Sequence, residues 1–313
     1  MCLATTLAIP KFKALPVLCP KTVLQTPSSN LTLRSYFRTG LYKPPSFPHV
    51  LGREASGTIV STGSGNLHSL KIGDRVIYIG TGAYAEYTIA TSLHTSVIPP
   101  GISQEVAAAS LLQGVTALTL IRESHPVKKG DWVLVHAAAG GVGLWLCQLL
   151  KAVGAHAIGT ASTPEKRELA RSHGAEVLID YTKDSVPEKV KEVTNGAGVI
   201  AVFDGVGKST FDDSLESIAR KGTLVSFGNA SGAPDPLVLA RLAAKNAKVQ
   251  RPTLFNYIVT RQEYDGYVQE LFKYIQDNNL DPRVHDTYPL AEVARAHQDL
   301  EGRKTTGKLI LKP

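Results

Sequence analysis

Between Asp131 and Gly228 the chain alternates apolar, β-branched runs with amphipathic helical ones. No other feature restricts its fold as strongly. The segments DWVLVH, HAIGTA, EVLIDY, GVIAVFDGV and TLVSFG read as strands. VGLWLCQLLKAVG, PEKRELARSHG, DSVPEKVKEVTNG and STFDDSLESIARKG read as the helices between them. A strand, a helix and another strand at this spacing demand parallel pairing through right-handed crossovers. The expectation is an α/β protein with an open, doubly wound parallel sheet.

The chain before this region has a different rhythm. ASGTIVSTG, DRVIYIG and AYAEYTIA are short alternating strands joined by glycine turns, which indicates a small β-rich domain. Helical periodicity then appears in SQEVAAASLL and VTALTLIRESH. From about Phe255 a long helix near RQEYDGYVQELFKYIQD and a closing strand KLILK are expected to return to the first domain. The expected limits are 1–115 for the β-rich domain, 116–254 for the parallel-sheet domain and 255–313 for the returning segment.

The first strand–turn–helix unit carries the chemistry. In VLVHAAAGGVGLWLCQLL, Ala137, Gly140 and Gly143 fall at the spacing of a dinucleotide fingerprint, directly after a strand and at the start of a helix. A turn with no side chains lets the backbone approach a pyrophosphate, and the next helix offers free N–H groups with the positive end of its dipole. An acid at the end of the second strand would select NAD by binding the ribose 2′-hydroxyl. Here that position holds Thr160, Ala161, Ser162 and Thr163, with Lys166 a turn later. Lys166 alone fits an ordinary solvated helix position. The missing acid decides, and the expected cofactor is NADPH.

Charge narrows the function classes further. The formal net charge is +7, yet residues 1–53 contain no acid and hold Lys11, Lys13, Lys21, Arg34, Arg38, Lys43 and Arg53. Those seven account for the whole excess, so the rest of the chain is balanced. A general nucleic-acid surface would be basic over the folded domains. The acid-free, Ser- and Thr-rich start resembles a mitochondrial presequence in composition. It has no arginine before Arg34, however, and Pro10, Pro16, Pro20 and Pro27 break any amphipathic helix. No run approaches the ~20 uninterrupted apolar residues of a membrane span. Cys2, Cys19 and Cys147 suit neither a disulfide framework nor a zinc cage. A soluble cytoplasmic protein is expected.

HVLGREASGTIVSTGSG, LKIGDRVIY, GAYAEY, VLVHAAAGGVG and VSFGNASG together resemble the quinone oxidoreductase branch of the medium-chain dehydrogenase/reductases, the zeta-crystallin-like enzymes. The resemblance runs from about Tyr36 to the C-terminus. It implies a GroES-like β-rich domain beside a Rossmann domain, a cofactor in the cleft between them, and a homodimer. It places Ala139, Gly140, Gly141 and Val142 on the pyrophosphate. Ser162, Thr163, Lys166, Tyr181 and Arg303 match positions around the adenosine 2′-phosphate. Phe227, Gly228, Asn229, Arg251 and Pro252 match the nicotinamide side, and Thr116 the nicotinamide ribose. Zinc-dependent relatives carry Gly-His-Glu where this chain has Gly52, Arg53 and Glu54, and none of the nine histidines forms a close pair at ligand spacing. No metal is expected. Upstream of YFRTGLY the family has an Asn and an Asp where this chain has Leu31 and Arg34, and the preceding residues do not read as the family's first strands.

The resemblance thus implies metal-free hydride transfer from NADPH to a quinone or another conjugated carbonyl, with Tyr36 and Tyr42 as the candidates to hydrogen-bond the acceptor oxygen. An NADPH-dependent alkenal or enone reductase of the same fold is the nearest alternative. RNA binding with weak catalysis is the rival from another class.

Overall fold

The computed structural model describes residues 21–30, 48–302 and 305–313. Tyr36, Tyr42 and Arg303, and the substituted positions Leu31 and Arg34, lie outside the described residues.

Two sheets organise the chain. The first has seven strands: β1 (Lys21–Asn30), β2 (Glu54–Thr62), β3 (Arg75–Ile79), β4 (Tyr87–Thr91), β5 (Thr95–Val97), β12 (Val284–Pro289) and β13 (Lys308–Lys312). Its order is β12-β13-β1-β2-β3-β5, with β4 pairing β1. All pairs are antiparallel except β12 with β13. The strand β1 corrects the reading of the acid-free start, which showed no first strand. KTVLQTPSSN is polar and contains Pro27, which cannot donate to a ladder. The pairing absorbs it, because the β1/β2 register shifts between Gln25 and Ser28.

The second sheet is wholly parallel: β6 (Trp132–Val135), β7 (His156–Thr160), β8 (Val177–Ile179), β9 (Val199–Asp204), β10 (Ile218–Ser226) and β11 (Lys248–Gln250). Its order, β8-β7-β6-β9-β10-β11, places the reversal of winding between β6 and β9. Ligands of such sheets bind at the carboxyl ends of the strands at that reversal.

The helices expected here are α2 (Gly141–Val153), α3 (Pro164–Ser172), α4 (Val186–Val193) and α5 (Phe211–Ser217). Thr163 and Ser185 cap α3 and α4 by accepting from the amides three residues on, and each helix has proline in its first turn. The helix expected across STFDDSLESIARKG ends at Ser217, and Ile218–Lys221 belong to β10. Burial overrides helical propensity there: Ile218 is extended, pairs with Val199 and is buried.

A single long helix joins the lobes. The two helical stretches expected near residue 110 form one rod, α1 (Gln104–Thr119), continued by a π turn over Leu120–Ser124. By length and composition Gln104–Ser124 is long and apolar enough to cross a membrane, but 78% of its most apolar window is buried inside the protein. It is a core helix. Ile77 and Ile79 from the first sheet, Leu111, Val115 and Leu118 from α1, and Val133 and Phe203 from the second sheet form one continuous apolar cluster. Fully burying each such side chain contributes about 1.5–3 kcal/mol. The long helix α6 (Arg261–Asn278), closed by a capping box at Thr260 and Glu263, completes this core. It lies so close to α1 that a Cβ on Gly114 would stand 2.8 Å from Leu271. The last helix, α7 (Val293–Glu301), packs beside β12 and β13.

Candidate active site

The fingerprint turn sits at the carboxyl end of β6, beside the reversal of the parallel sheet. Ala137 adopts a left-handed conformation with φ +51°, which costs a residue with a Cβ roughly 1–2 kcal/mol. Both its backbone groups are satisfied: the amide donates to Thr160 Oγ1 at 3.2 Å, and the carbonyl accepts from Gly140 N at 2.8 Å. Gly140 precedes α2 without a side-chain cap, so the first-turn amides keep no internal partner. Backbone forces glycine at position 143, and at 141 a Cβ would displace a side-chain end. A Cβ on Gly143 would lie 2.4 Å from Ala137 O, and one on Gly141 would lie 2.1 Å from Gln113 Nε2 of α1. Ala139, Gly140, Gly141 and Val142 therefore form one side-chain-poor cradle, with Ala139 buried and Gly140 exposed.

Behind the turn lies a buried polar chain that the sequence reading missed. Asp204, at the carboxyl end of β9, accepts from Val206 N and Gly207 N, from Thr210 Oγ1 and from Ser214 Oγ at 3.1 Å. Ser214 Oγ is 3.1 Å from His136 Nε2, and His136 Nδ1 is 3.3 Å from Thr160 Oγ1. One polarity satisfies every contact: Ala137 N–H to Thr160, Thr160 O–H to His136 Nδ1, His136 Nε2–H to Ser214, and Ser214 O–H to Asp204. This polarity requires a neutral imidazole. Burial pushes the His136 pKa below its usual value, against the opposing pull of Asp204. The chain ties the ends of β6, β7 and β9 to the strained turn.

At the end of β7 the structure gathers Ser162, Thr163, Lys166 and Tyr181. Thr163 is committed to capping α3, Lys166 lies in the first turn of that helix and is partly buried, and Tyr181 is 54% exposed just beyond β8. Arg167, absent from the expected set, has a structural role. It pairs with Asp180 at 2.8 Å and donates to Ala161 O, clamping α3 to the ends of β7 and β8. The hydrogen bonds from Thr182 and the Arg167 guanidinium hold the Asp180 carboxyl below the usual range.

Phe227, Gly228, Asn229, Arg251 and Pro252 also come together. Arg251 Nη1 lies 3.0–3.1 Å from Ser226 O, Gly228 O and Asn229 Oδ1, which binds the loop after β10 to the exit of β11. A Cβ on Gly228 would stand 2.5 Å from Gly205 O, so the backbones after β9 and β10 meet directly there, and Ser231 Oγ adds a bond to Val206 O. Thr116 lies on α1 three residues after Gln113, and its hydroxyl donates to Leu112 O at 2.6 Å. Gln113, pressed on Gly141, was the readable omission, a buried amide in the middle of a mostly apolar helix.

Two residues of the Gly52–Arg53–Glu54 triplet have definite roles. Glu54 is fully buried, accepts from Lys308 Nζ at 2.8 Å and from Leu112 N at 2.7 Å, and so joins β2, β13 and α1. Arg53 lays its guanidinium over the ring of Phe255, 4.6 Å from the centroid. Among the described residues no three His, Cys, Asp or Glu side chains gather as they would for a metal ion.

Comparisons with known proteins agree with this geometry. The profile of the alcohol dehydrogenase GroES-like domain matches residues 26–100, and that of the zinc-binding dehydrogenases matches residues 141–273. A probable quinone oxidoreductase of Schizosaccharomyces pombe is 47% identical over 278 residues, covering 88% of this chain and 84% of that protein. Quinone oxidoreductase 1 of Escherichia coli is 42% identical over 284 residues, covering 89% and 86%. A structure of an Escherichia coli quinone oxidoreductase complexed with NADPH superposes with a TM-score of 0.93 at 39% identity, covering 97% of this chain and 95% of that one. A mycobacterial structure complexed with NADPH gives 0.90 at 41% identity, covering 96% and 94%.

Proposed function

The chain belongs to the quinone oxidoreductases of the medium-chain dehydrogenase/reductase superfamily, and on that premise we infer that it is an NADPH-dependent quinone reductase. The observation that carries the reading is the cradle at Ala137–Gly143, a turn that would be filled by a Cβ and that opens a helix at the reversal of a parallel sheet. The residues present fit the phosphorylated nucleotide. The backbone of Ala139–Val142 would hold the pyrophosphate. Ser162, Thr163, Lys166 and Tyr181 offer a cation and hydroxyls where an acid would exclude a 2′-phosphate, and Arg303 would join them from the C-terminal segment.

NADPH supplies the hydride, and the protein orients it and excludes water. Arg251 fixes the loop of Phe227, Gly228 and Asn229 that would border the nicotinamide, and Thr116 would approach its ribose. We assign Tyr36 and Tyr42 to the acceptor. No metal is invoked, because a quinone or conjugated carbonyl needs no Lewis acid to receive hydride. The division at residues 115 and 254 stands as part of this reading. So does a cytoplasmic homodimer; RNA is a possible partner that the balanced charge of residues 54–313 does not support. Val238 and Leu239 are 65% and 76% exposed beside the edge strand β11, which supports association of two copies across that edge.

Fluorescence titration and turnover test the reading. A charge-assisted hydrogen bond contributes about 1.5–3 kcal/mol, so NADPH should bind at least ~10-fold more tightly than NADH. Lys166→Ala should weaken NADPH far more than NADH. Equal dissociation constants would refute the cofactor assignment. Reduction of enones with no turnover of a simple benzoquinone would move the function to the alkenal and enone reductases.

A further inference from the structure

We propose that Arg53 is a catalytic residue of this chain, its guanidinium receiving the acceptor oxygen that becomes negatively charged on hydride addition. The inference rests on the quinone reductase reading and assigns that site a group the reading does not contain.

Three observations carry it. First, Arg53 packs the start of β2 against the chain leaving the parallel sheet. It stands immediately before β2, and its ring partner Phe255 lies in the short turn Leu254–Asn256, a few residues beyond the carboxyl end of β11. The loop bearing Phe227 and Asn229 is tied to that same exit through Arg251. Second, the position is rigid. The Arg53 carbonyl accepts from Gly80 N at 2.8 Å, Glu54 is locked to Lys308, and Gly52 has φ +126° with a Cβ position 2.1 Å from Ala83 N. Third, the cation is half-buried yet no carboxylate or carbonyl among the described residues meets its five N–H groups; the Phe255 ring is its one described contact. Burial without an opposing charge accordingly lowers its pKa from the ordinary arginine value. A desolvated cation of this kind is completed by an incoming anion far more than by a neutral group.

The reaction generates such an anion. A C–H bond of the reduced nicotinamide breaks and a C–H bond forms at the acceptor. The two electrons shift through the conjugated system onto a carbonyl oxygen, and the nicotinamide is left oxidised. The oxygen stays anionic until a solvent proton neutralises it. A guanidinium held beside it stabilises the charge as it develops. The planar fork also favours acceptors with an accessible carbonyl oxygen.

The test needs no turnover. p-Nitrophenolate, a stable phenolate, is titrated into nucleotide-free protein at a pH where it is ionised, and its absorbance shift gives the dissociation constant. p-Nitroanisole serves as the neutral control. Arg53→Gln should weaken the phenolate about tenfold or more, the size of a lost charge-assisted bond, and leave the anisole unchanged. Arg53→Lys should restore part of the affinity. Thermal midpoints establish that the variants fold. With benzoquinone, Arg53→Gln should lower kcat at least tenfold without altering NADPH affinity. Unchanged phenolate binding in Arg53→Gln, or equal losses for phenolate and anisole, overturns the proposal, as does a wild-type protein that ignores the phenolate. Failure of the wild type to reduce any quinone refutes the underlying function instead, and leaves the phenolate result to stand on its own.

Discussion

Lys308→Met isolates the interaction that closes the first lobe. Glu54 and Lys308 are both fully buried, 2.8 Å apart, and the second carboxylate oxygen accepts from Leu112 N at 2.7 Å. Methionine keeps most of the lysine stem, so the lost volume is small and the lost charge dominates. Removing one partner of a buried pair strands the other and costs about 3–5 kcal/mol. For a chain of 313 residues unfolding as one unit, an entropy near 2.1 cal/mol/K per residue converts this to a fall of roughly 5–8 °C in the thermal midpoint. Glu54→Gln together with Lys308→Met removes both charges, and the glutamine oxygen can still accept from Leu112 N. The double variant should therefore be more stable than Lys308→Met alone, by about 1–4 kcal/mol. Scanning calorimetry on the four proteins of the cycle gives each value. A Lys308→Met midpoint within about 2 °C of wild type, less than the conversion allows, or strict additivity of the two substitutions, would refute this account of the pair.

Three other outcomes follow from the site. His136 has a native pKa below its unfolded value of about 6.5, so below that pH the unfolded state binds a proton that the native state refuses. Stability should fall on acidification from about pH 6.5, at up to ~1.4 kcal/mol per unit, until the native pKa is reached. His136→Asn should start less stable and show a shallower slope in midpoints measured across this range, the remainder coming from His125, whose pKa burial also lowers. Gly143→Ala would drive a Cβ to 2.4 Å from the Ala137 carbonyl and 2.8 Å from Ala138 Cα. Relief must come from the turn backbone, at about 1–3 kcal/mol, and calorimetric NADPH affinity should drop at least ~10-fold while the midpoint changes modestly. Burial pushes the Cys147 thiol up to about 12, so iodoacetamide should leave the Cys147 peptide unmodified in native protein and label it fully in denaturant, as read by peptide mass spectrometry.

The parallel sheet was legible because its signal is local: five of its six strands and each crossover helix announce themselves within a dozen residues, and only the three-residue edge strand β11 went unread. The fingerprint turn was legible for the same reason. Local patterns also misled. SIARKG reads as helix, yet Ile218 is drawn into the core beside Val199 and carries the following residues into β10. KTVLQTPSSN reads as irregular because Pro27 interrupts it, and only the partners β2, β4 and β13 make it a strand. The polar chain behind the turn was hidden, since His136 and Ser214 are 78 positions apart and a lone histidine at a strand end has no signature. Arg53 stood in plain view as a missing metal ligand. Its stack on Phe255 joins two lobes whose approach no pattern in the chain encodes.

The strand β13 gives the protein an order of assembly. Residues 131–250 contain every strand of the parallel sheet, so its strand pairing needs no later residue, while α6 completes the core beneath it. The first sheet is made earlier but must wait. The Ser29–Asn30 end of β1 and one oxygen of the Glu54 carboxylate are satisfied by residues 308–312, across a sequence separation of 254 for the ion pair. Until that last strand arrives, the nascent chain carries an open sheet edge and a carboxylate in a pocket built for a cation. The half synthesised first is therefore the half that chaperones and proteases can inspect longest.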